Sequence, residues 1–279
     1  MTGKRSTFLL SALVFGFAFL YVPILLVIIY SFNEGKLVTV WTGFSFKWYV
    51  SLFSNDGMID AAWNSLQIGV MSATLALAVG TPAGLVMSRF GRFKSRTLFS
   101  GMVAAPLVMP EVITGLSLLL LFVTLEQLIG WPAGRGVTTI VIAHTTFCAA
   151  YVAVVVQSRL AGMDTSVEEA AMDLGAKPAK IFFVITLPMI LPALLAGWLL
   201  SFTLSLDDLV IASFVAGPGS TTLPMKVFSS VRLGVSPEIN ALATLIILAV
   251  SVMIVISSLL ILRSERARTR SMNQTTIDT

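Results

Sequence analysis

Apolar residues fall into six long runs, and the charges collect between them. Residues 8–30 carry no charge at all. About 20 consecutive apolar residues suffice for a helix to cross the hydrocarbon core of a bilayer. A secretory signal has an apolar core of only about 7–15 residues, so this run, preceded by Lys4 and Arg5, reads as a first membrane span. Residues 61–88, 97–125, 137–157, 190–211 and 241–262 give five more spans. The second contains Gly80-Thr-Pro-Ala-Gly84, a spacing of small residues that lets two helices approach closely, and Pro82 is expected to kink it. The polar segment 31–60 holds Trp41, Trp48 and Tyr49, aromatic residues suited to the headgroup layer. Trp63, Trp131 and Trp198 read the same way. Segments 126–136 and 212–240 are further connections, the latter with a Gly-Pro-Gly turn at positions 217–219.

The pattern predicts an all-α integral membrane protein. Residues 8–262 form the spanning domain, 1–7 a short N-terminal segment and 263–279 a tail read as disordered. Composition agrees: 56% of residues are hydrophobic and 11% charged, at a mean hydropathy of +0.92, against about 25% charged in soluble domains. The net charge of +4 reports topology rather than a nucleic-acid partner. With both termini cytoplasmic, the inner segments hold Lys4, Arg5, Arg89, Arg92, Lys94, Arg96, Arg159, Lys177, Lys180, Arg263, Arg266, Arg268 and Arg270. The outer segments hold Lys36, Lys47, Arg135, Lys226 and Arg232, which completes the 18 basic residues. Cytoplasmic loops carry the excess of Lys and Arg, so this orientation is favoured over its inverse.

Catalytic signatures are missing. No Gly-x-x-x-x-Gly-Lys-Ser/Thr loop is present to cradle ATP phosphates. No Cys/His cluster has metal-ligand spacing, and no cofactor is implied. Cys148 is the one cysteine and His144 the one histidine. Both read as packed helix residues, and a serine–histidine–acid triad would have to place its histidine inside a span. The chain is expected to be no enzyme, so a partner chain or an ion gradient supplies any energy.

Three acids interrupt the apolar runs without a Lys or Arg at similar depth: Glu111, Asp207 and Asp208. An ionisable group within the bilayer is costly unless paired or hydrated. Protonation, a partner subunit or a water-filled cation path would each relieve it. Glu111 lies about 15 residues, or about 22 Å, along the third run, behind Pro106 and Pro110, which loosen the backbone and free carbonyls to line a site. Gly197, Ser201, Ser205, Asp208 and Ala212 form a small, polar stripe on the fifth run, suited to a lining face. The alternative for Asp207 and Asp208 is capping or pairing at a helix–helix contact. His144, Thr145, Thr146 and Tyr151 either line the same path or hydrogen-bond between helices. A solute bearing amines would meet carboxylates, carbonyls and aromatic faces there.

Residues 164–188 interrupt the greasy pattern; from 167 to 188 they hold three acids (Glu168, Glu169, Asp173) and two lysines (Lys177, Lys180). Ser166 and Glu169 have the spacing of a capping box, and Glu168 and Glu169 suit the first turn of a helix. Gly175 is expected to stop that helix. Lys177-Pro178 begins a second one, since proline is favoured in a first turn, and Leu187-Pro188 turns the chain into the fifth span. The loop is thus a helix–glycine–helix elbow.

Its spacing resembles the EAA signature of binding-protein-dependent ABC importer permeases. Glu169-Ala170-Ala171, three residues, Gly175, nine residues, Ile185, one residue and Leu187-Pro188 match every fixed position. The segments APLVMPEVITGLSLLLLF at 105–122, SFTLSLDDLVIASFVAGPGSTTLP at 201–224 and NALAT at 240–244 are similar to those of polyamine importer permeases. The resemblance implies a type I ABC importer permease fold with six spans, located in the bacterial inner membrane. It implies that the elbow, with Glu169, Ala170, Ala171, Gly175, Leu187 and Pro188, is the coupling element seated in an ABC ATPase, with Glu169 near a basic ATPase residue. It implies a second, homologous permease, two ATPase copies, and a periplasmic polyamine-binding protein facing residues 217–224 and 225–235. Glu111, Ser205, Asp207 and Asp208 would belong to a path for putrescine or spermidine. The alternatives are an importer permease for another solute, such as a sugar or iron chelate, and a gradient-driven cation carrier or channel with Glu111 as a proton relay.

Overall fold

The computed structural model describes residues 3–37, 40–91, 93–233, 236–252 and 255. Arg92, the end of the sixth run and the basic tail from Arg263 lie outside the described residues. So do Gly234 and Val235, at the end of the segment expected to face a binding protein.

Among the described residues the elements are helical. They run α1 (Gly3–Ser31), α2 (Lys47–Phe53), α3 (Asp56–Arg89), α4 (Arg96–Val108), α5 (Glu111–Ile129), α6 (Val137–Ala161), α7 (Ser166–Asp173), α8 (Pro178–Ile181), a π-helical turn (Phe182–Thr186), α9 (Leu187–Asp207), α10 (Val210–Val215) and α11 (Leu223–Leu233). A last helix, α12 (Pro237–Val252), follows. Among the described residues, five helical stretches are long and apolar enough to cross a membrane: Thr7–Ser31, Asp56–Arg89, Glu111–Ile129, Val137–Ala161 and Pro178–Asp207. The sixth expected run is described only to Val252 as a shorter apolar helix.

The chain divides into two compact units, one of residues 57–229 and one of 1–56 with 230–279. In the first, α6 is the central helix. Its residues Cys148, Val152, Val156 and Leu160 are fully buried against Ala76 of α3 and Ile190 and Leu194 of α9. The small-residue pair on α3 makes this possible. A methyl group at Gly80 would stand 2.6 Å from the Ala149 carbonyl, and one at Gly84 2.6 Å from that of Ala153. Backbone therefore meets backbone along this seam, as such residues permit at helix interfaces. A second cluster joins Ile68 of α3, Phe122 of α5, Ile140 and Ala143 of α6, and Ile211, Ala212 and Val215 of α10. In the other unit the buried Asn33 ties its loop together, giving hydrogen bonds to the Leu37 and Val40 carbonyls and taking one from Thr42 N–H. Ser51 and Asn55 there donate to the Glu238 carboxylate of α12.

Two expected spans are broken. The third run is two helices, because proline disfavours helical geometry in the residue before it. Met109 is accordingly extended (φ −71°, ψ 135°), and Glu111 opens α5 instead of sitting midway along one helix. The fifth run breaks at Asp208 (φ −66°, ψ 123°). Conversely, the turn expected at Leu187-Pro188 is absent, and helix continues through it. The fourth-residue bond to the Val184 carbonyl would need an N–H on Pro188, which has none. The chain widens just below into a π-turn, where Leu187 N–H donates to Phe182 O, five residues back.

Candidate functional site

The two helix breaks face one cavity of about 330 Å³ in the larger unit. Pro106, Leu107, Met109, Glu111 and Thr114 line it from the first break, and Leu204, Asp207, Asp208, Leu209, Val210 and Ile211 from the second. Phe147 and Tyr151 of α6 complete the wall. Glu111 and Asp207 are exposed, whereas Asp208 is buried. No Lys or Arg lines the cavity. Three acids from two separate runs thus meet at one place, with two aromatic rings beside them. Discontinuous helices at membrane depth are where transporters gather free backbone groups and ion sites.

Asp208 has a second task. Its Oδ2 accepts from Ala212 N–H at 2.8 Å and its Oδ1 from Ile211 N–H at 3.3 Å. Those two donors at the start of α10 have no partner within their own helix. Oδ2 also lies 3.1 Å from His144 Nε2, and His144 Nδ1 lies 2.6 Å from Ser205 Oγ. With Nε2–H donating to the carboxylate, Nδ1 accepts the Ser205 hydroxyl, an assignment that follows from the chemistry of the partners. His144 is fully buried. A serine, a histidine and an acid therefore come together, and of the two expectations for His144 it is hydrogen bonding between helices that its ring atoms meet. Ser205 is buried and lies outside the cavity wall, so its hydroxyl does not face a solute held there. The group braces α6, α9 and α10 around the break.

The expected lining stripe is turned by this geometry. Gly197 packs against Val152 of α6, Ser201 and Ser205 are buried, and the Ser201 carbonyl faces Cys148 Sγ at 3.5 Å. Its small residues serve the α6–α9 contact, and the cavity takes Asp207 and Asp208. Thr145 and Thr146 return their hydroxyl hydrogens to the Val141 and Ile142 carbonyls of their own helix. Tyr151 does reach the cavity. What the sequence left open was which groups His144 bonds; the signal was two polar residues, Ser205 and Asp208, three apart on the fifth run.

The elbow forms a second candidate region. Gly175 adopts φ +81°, the left-handed geometry that ends helices and that side chains resist. The capping box is not formed: Thr165 is the N-cap without a side-chain bond. Instead, Ser166 N–H donates to Asp164 Oδ1 at 3.0 Å, and that bond holds the exposed Asp164 carboxyl below its ordinary range. The two neighbouring glutamates diverge. Glu169 is exposed. Glu168 turns inward: its Oε2 lies 3.1 Å from Arg89 Nε, and its Oε1 accepts from Thr186 Oγ at 2.8 Å. The Arg89 contact is an ion pair by distance without hydrogen-bond alignment. Ala170 and Ala171 complete the turn of α7, while Leu187 and Pro188 open α9.

Residues 80–270 match the family model described as "Binding-protein-dependent transport system inner membrane component". The chain is 61% identical over 270 residues to the putrescine transport system permease protein PotI of Escherichia coli (strain K12), covering 97% of this chain and 96% of that one. It is 43% identical over 249 residues to the spermidine/putrescine transport system permease protein PotC of the same strain, covering 89% and 91%. Among solved structures, it superposes on a bacterial ABC transporter involved in import of the acidic polysaccharide alginate. That match has a TM-score of 0.69, 17% identity, and coverage of 93% of this chain and 97% of that one. The MetNI methionine ABC transporter in inward-facing form gives 0.56 at 19% identity, covering 71% and 89%. The structural likenesses establish the fold.

Proposed function

Because the chain belongs to the family of binding-protein-dependent transport system inner membrane components, we propose that it is the permease subunit of an ATP-driven importer for polyamines, putrescine or spermidine. The observation that carries this reading is the cavity at the two helix breaks. It presents Glu111 and Asp207 with Phe147 and Tyr151 and no basic residue in its wall. A protonated amine gains from carboxylates by charge and from the aromatic faces by cation–π attraction, whereas an anionic solute is repelled. The names of the two relatives, putrescine and spermidine/putrescine permeases, support the same solute class.

In this reading Glu111 and Asp207 contact the ammonium groups, and Asp208 holds the break open while closing the wall behind them. Ser205 acts on the path through His144. The elbow is cytoplasmic and docks an ABC ATPase through Glu169 and the exposed face of α7. Hydrolysis belongs to that partner, since this chain has no phosphate-cradling loop. A second, homologous permease completes the path, and a periplasmic polyamine-binding protein delivers the solute to the segment 217–233. Both termini face the cytoplasm of a bacterial inner-membrane protein.

The test is uptake of labelled putrescine and spermidine by proteoliposomes carrying the assembled complex, with binding protein and ATP. Uptake requiring ATP and outcompeted by unlabelled polyamine, but not by a sugar, is the expected result. Uptake driven by a proton gradient without ATP would sink the reading.

A further inference from the structure

Glu168 joins three elements that the sequence separates widely. It lies in the first turn of α7. One carboxylate oxygen faces Arg89, the last residue of α3, and the other accepts from Thr186, the last residue of the π-turn below α9. Thr186 is buried, and the two charged side chains are only 17% and 13% exposed. A partly buried ion pair is screened less by salt than a surface pair. The end of α3 is itself held, because Arg96 at the start of α4 donates to the Met87 and Gly91 carbonyls. α7 is therefore fastened both to α3 and to the segment leading into α9. Its neighbour Glu169 is exposed and takes no part.

We propose that Arg89, Glu168 and Thr186 form a latch that passes displacement of α7 to α3 as well as to α9, so that Glu168 is a positioning residue for coupling while Glu169 faces outward. The inference rests on the importer reading above. Apart from the latch, α7 is joined to the segment leading into α9 by packing of Met172 near Pro178, Ile181 and Phe182 and by the chain across Gly175, a single left-handed residue. α3 carries the Gly80–Gly84 seam against α6, whose Phe147 and Tyr151 line the cavity. The latch thus gives α7 a second route to the cavity wall. The π-turn fits this role, since such turns occur often at functional sites.

The experiment uses the assembled permease–ATPase complex in proteoliposomes and measures polyamine transported per ATP hydrolysed. The variants are Glu168→Gln, Arg89→Gln, Thr186→Val and the exchange of Arg89→Glu with Glu168→Arg. The expected result is that each single variant co-purifies with its ATPase and hydrolyses ATP, yet transports about tenfold less per ATP. That factor lies in the 5–150-fold range typical of coupling between sites. The exchange restores a substantial part of the ratio, which a purely structural loss would not show. Unchanged ratios, a parallel fall of hydrolysis and transport, or loss of the ATPase from the complex would each overturn the latch. Wild-type complex without ATP-dependent uptake would instead overturn the importer reading, so the two failures are distinguishable.

Discussion

Replacing Asp208 with alanine should unsettle the helix break before it affects any solute. The carboxylate serves three donors: Ile211 N–H, Ala212 N–H and His144 Nε2. A buried donor left without its partner costs about 1–3 kcal/mol. Hydrogen bonds between membrane helices measure lower, averaging about 0.6 kcal/mol. Three orphaned donors therefore cost between about 2 and about 9 kcal/mol. A chain of this size shifts its melting temperature by about 2–4 °C per kcal/mol, so even the lower bound predicts a fall of about 4–8 °C. Asp207→Asn is the control, because Asp207 is exposed at the same cavity and its change strands no buried donor. Melting of the solubilised complex, followed by intrinsic fluorescence, should fall clearly for Asp208→Ala and hold within about 2 °C for Asp207→Asn. Both should lose polyamine uptake. An Asp208→Ala complex that melts with the wild type but fails to transport would refute the bracing role and leave Asp208 as a path residue alone.

Other outcomes follow from the same geometry. Gly84→Val drives a branched side chain toward the Ala153 carbonyl and Val156, and overpacking of this kind costs about 1–3 kcal/mol; reduced thermal stability and yield of folded permease are the readout. His144→Gln retains one polar end but not both contacts, so melting should fall less than for Asp208→Ala; an equal or larger fall would mean that His144 holds more than Asp208 and Ser205. Glu169→Ala leaves the internal contacts of the elbow intact and should weaken ATPase co-purification without affecting membrane insertion; unchanged co-purification would remove Glu169 from docking. Gly175→Ala forces a Cβ into φ +81° at about 1–2 kcal/mol, and limited proteolysis should open the elbow faster.

The apolar runs, the elbow and the unpaired acids Glu111, Asp207 and Asp208 were legible because they rest on strong local signals: uncharged stretches, a spaced signature, and acids where acids are costly; that two helix breaks bring the three acids to one cavity was not. The breaks were harder to read. Pro110 announces one through its effect on Met109, yet a long apolar run outweighs a single proline when only periodicity is followed. The break at Asp208 has no proline or glycine at all. It is made by a side chain that caps α10 and is held by His144, 64 residues away, a tertiary contact without a local trace. Ser166 and Glu169 fail for a local reason instead: their spacing fits a capping box, but Asp164, two residues earlier, takes the Ser166 N–H. Glu168 and Glu169 show the limit most directly. They are adjacent and chemically alike, and only the packing of Arg89 and Thr186 tells them apart.

The helix from Pro178 to Asp207 is unbroken for 30 residues despite Pro188 and Pro192. At 1.5 Å per residue it measures about 45 Å. It is a lever with one end in the elbow and the other at the cavity. A tilt of about 10° at the elbow would sweep Asp207 through about 8 Å, given that arm. A charge-assisted hydrogen bond spans only about 2.7–2.9 Å, so under the proposed importer function a small angular stroke at the elbow would be geometrically sufficient to part Asp207 from an amine it holds.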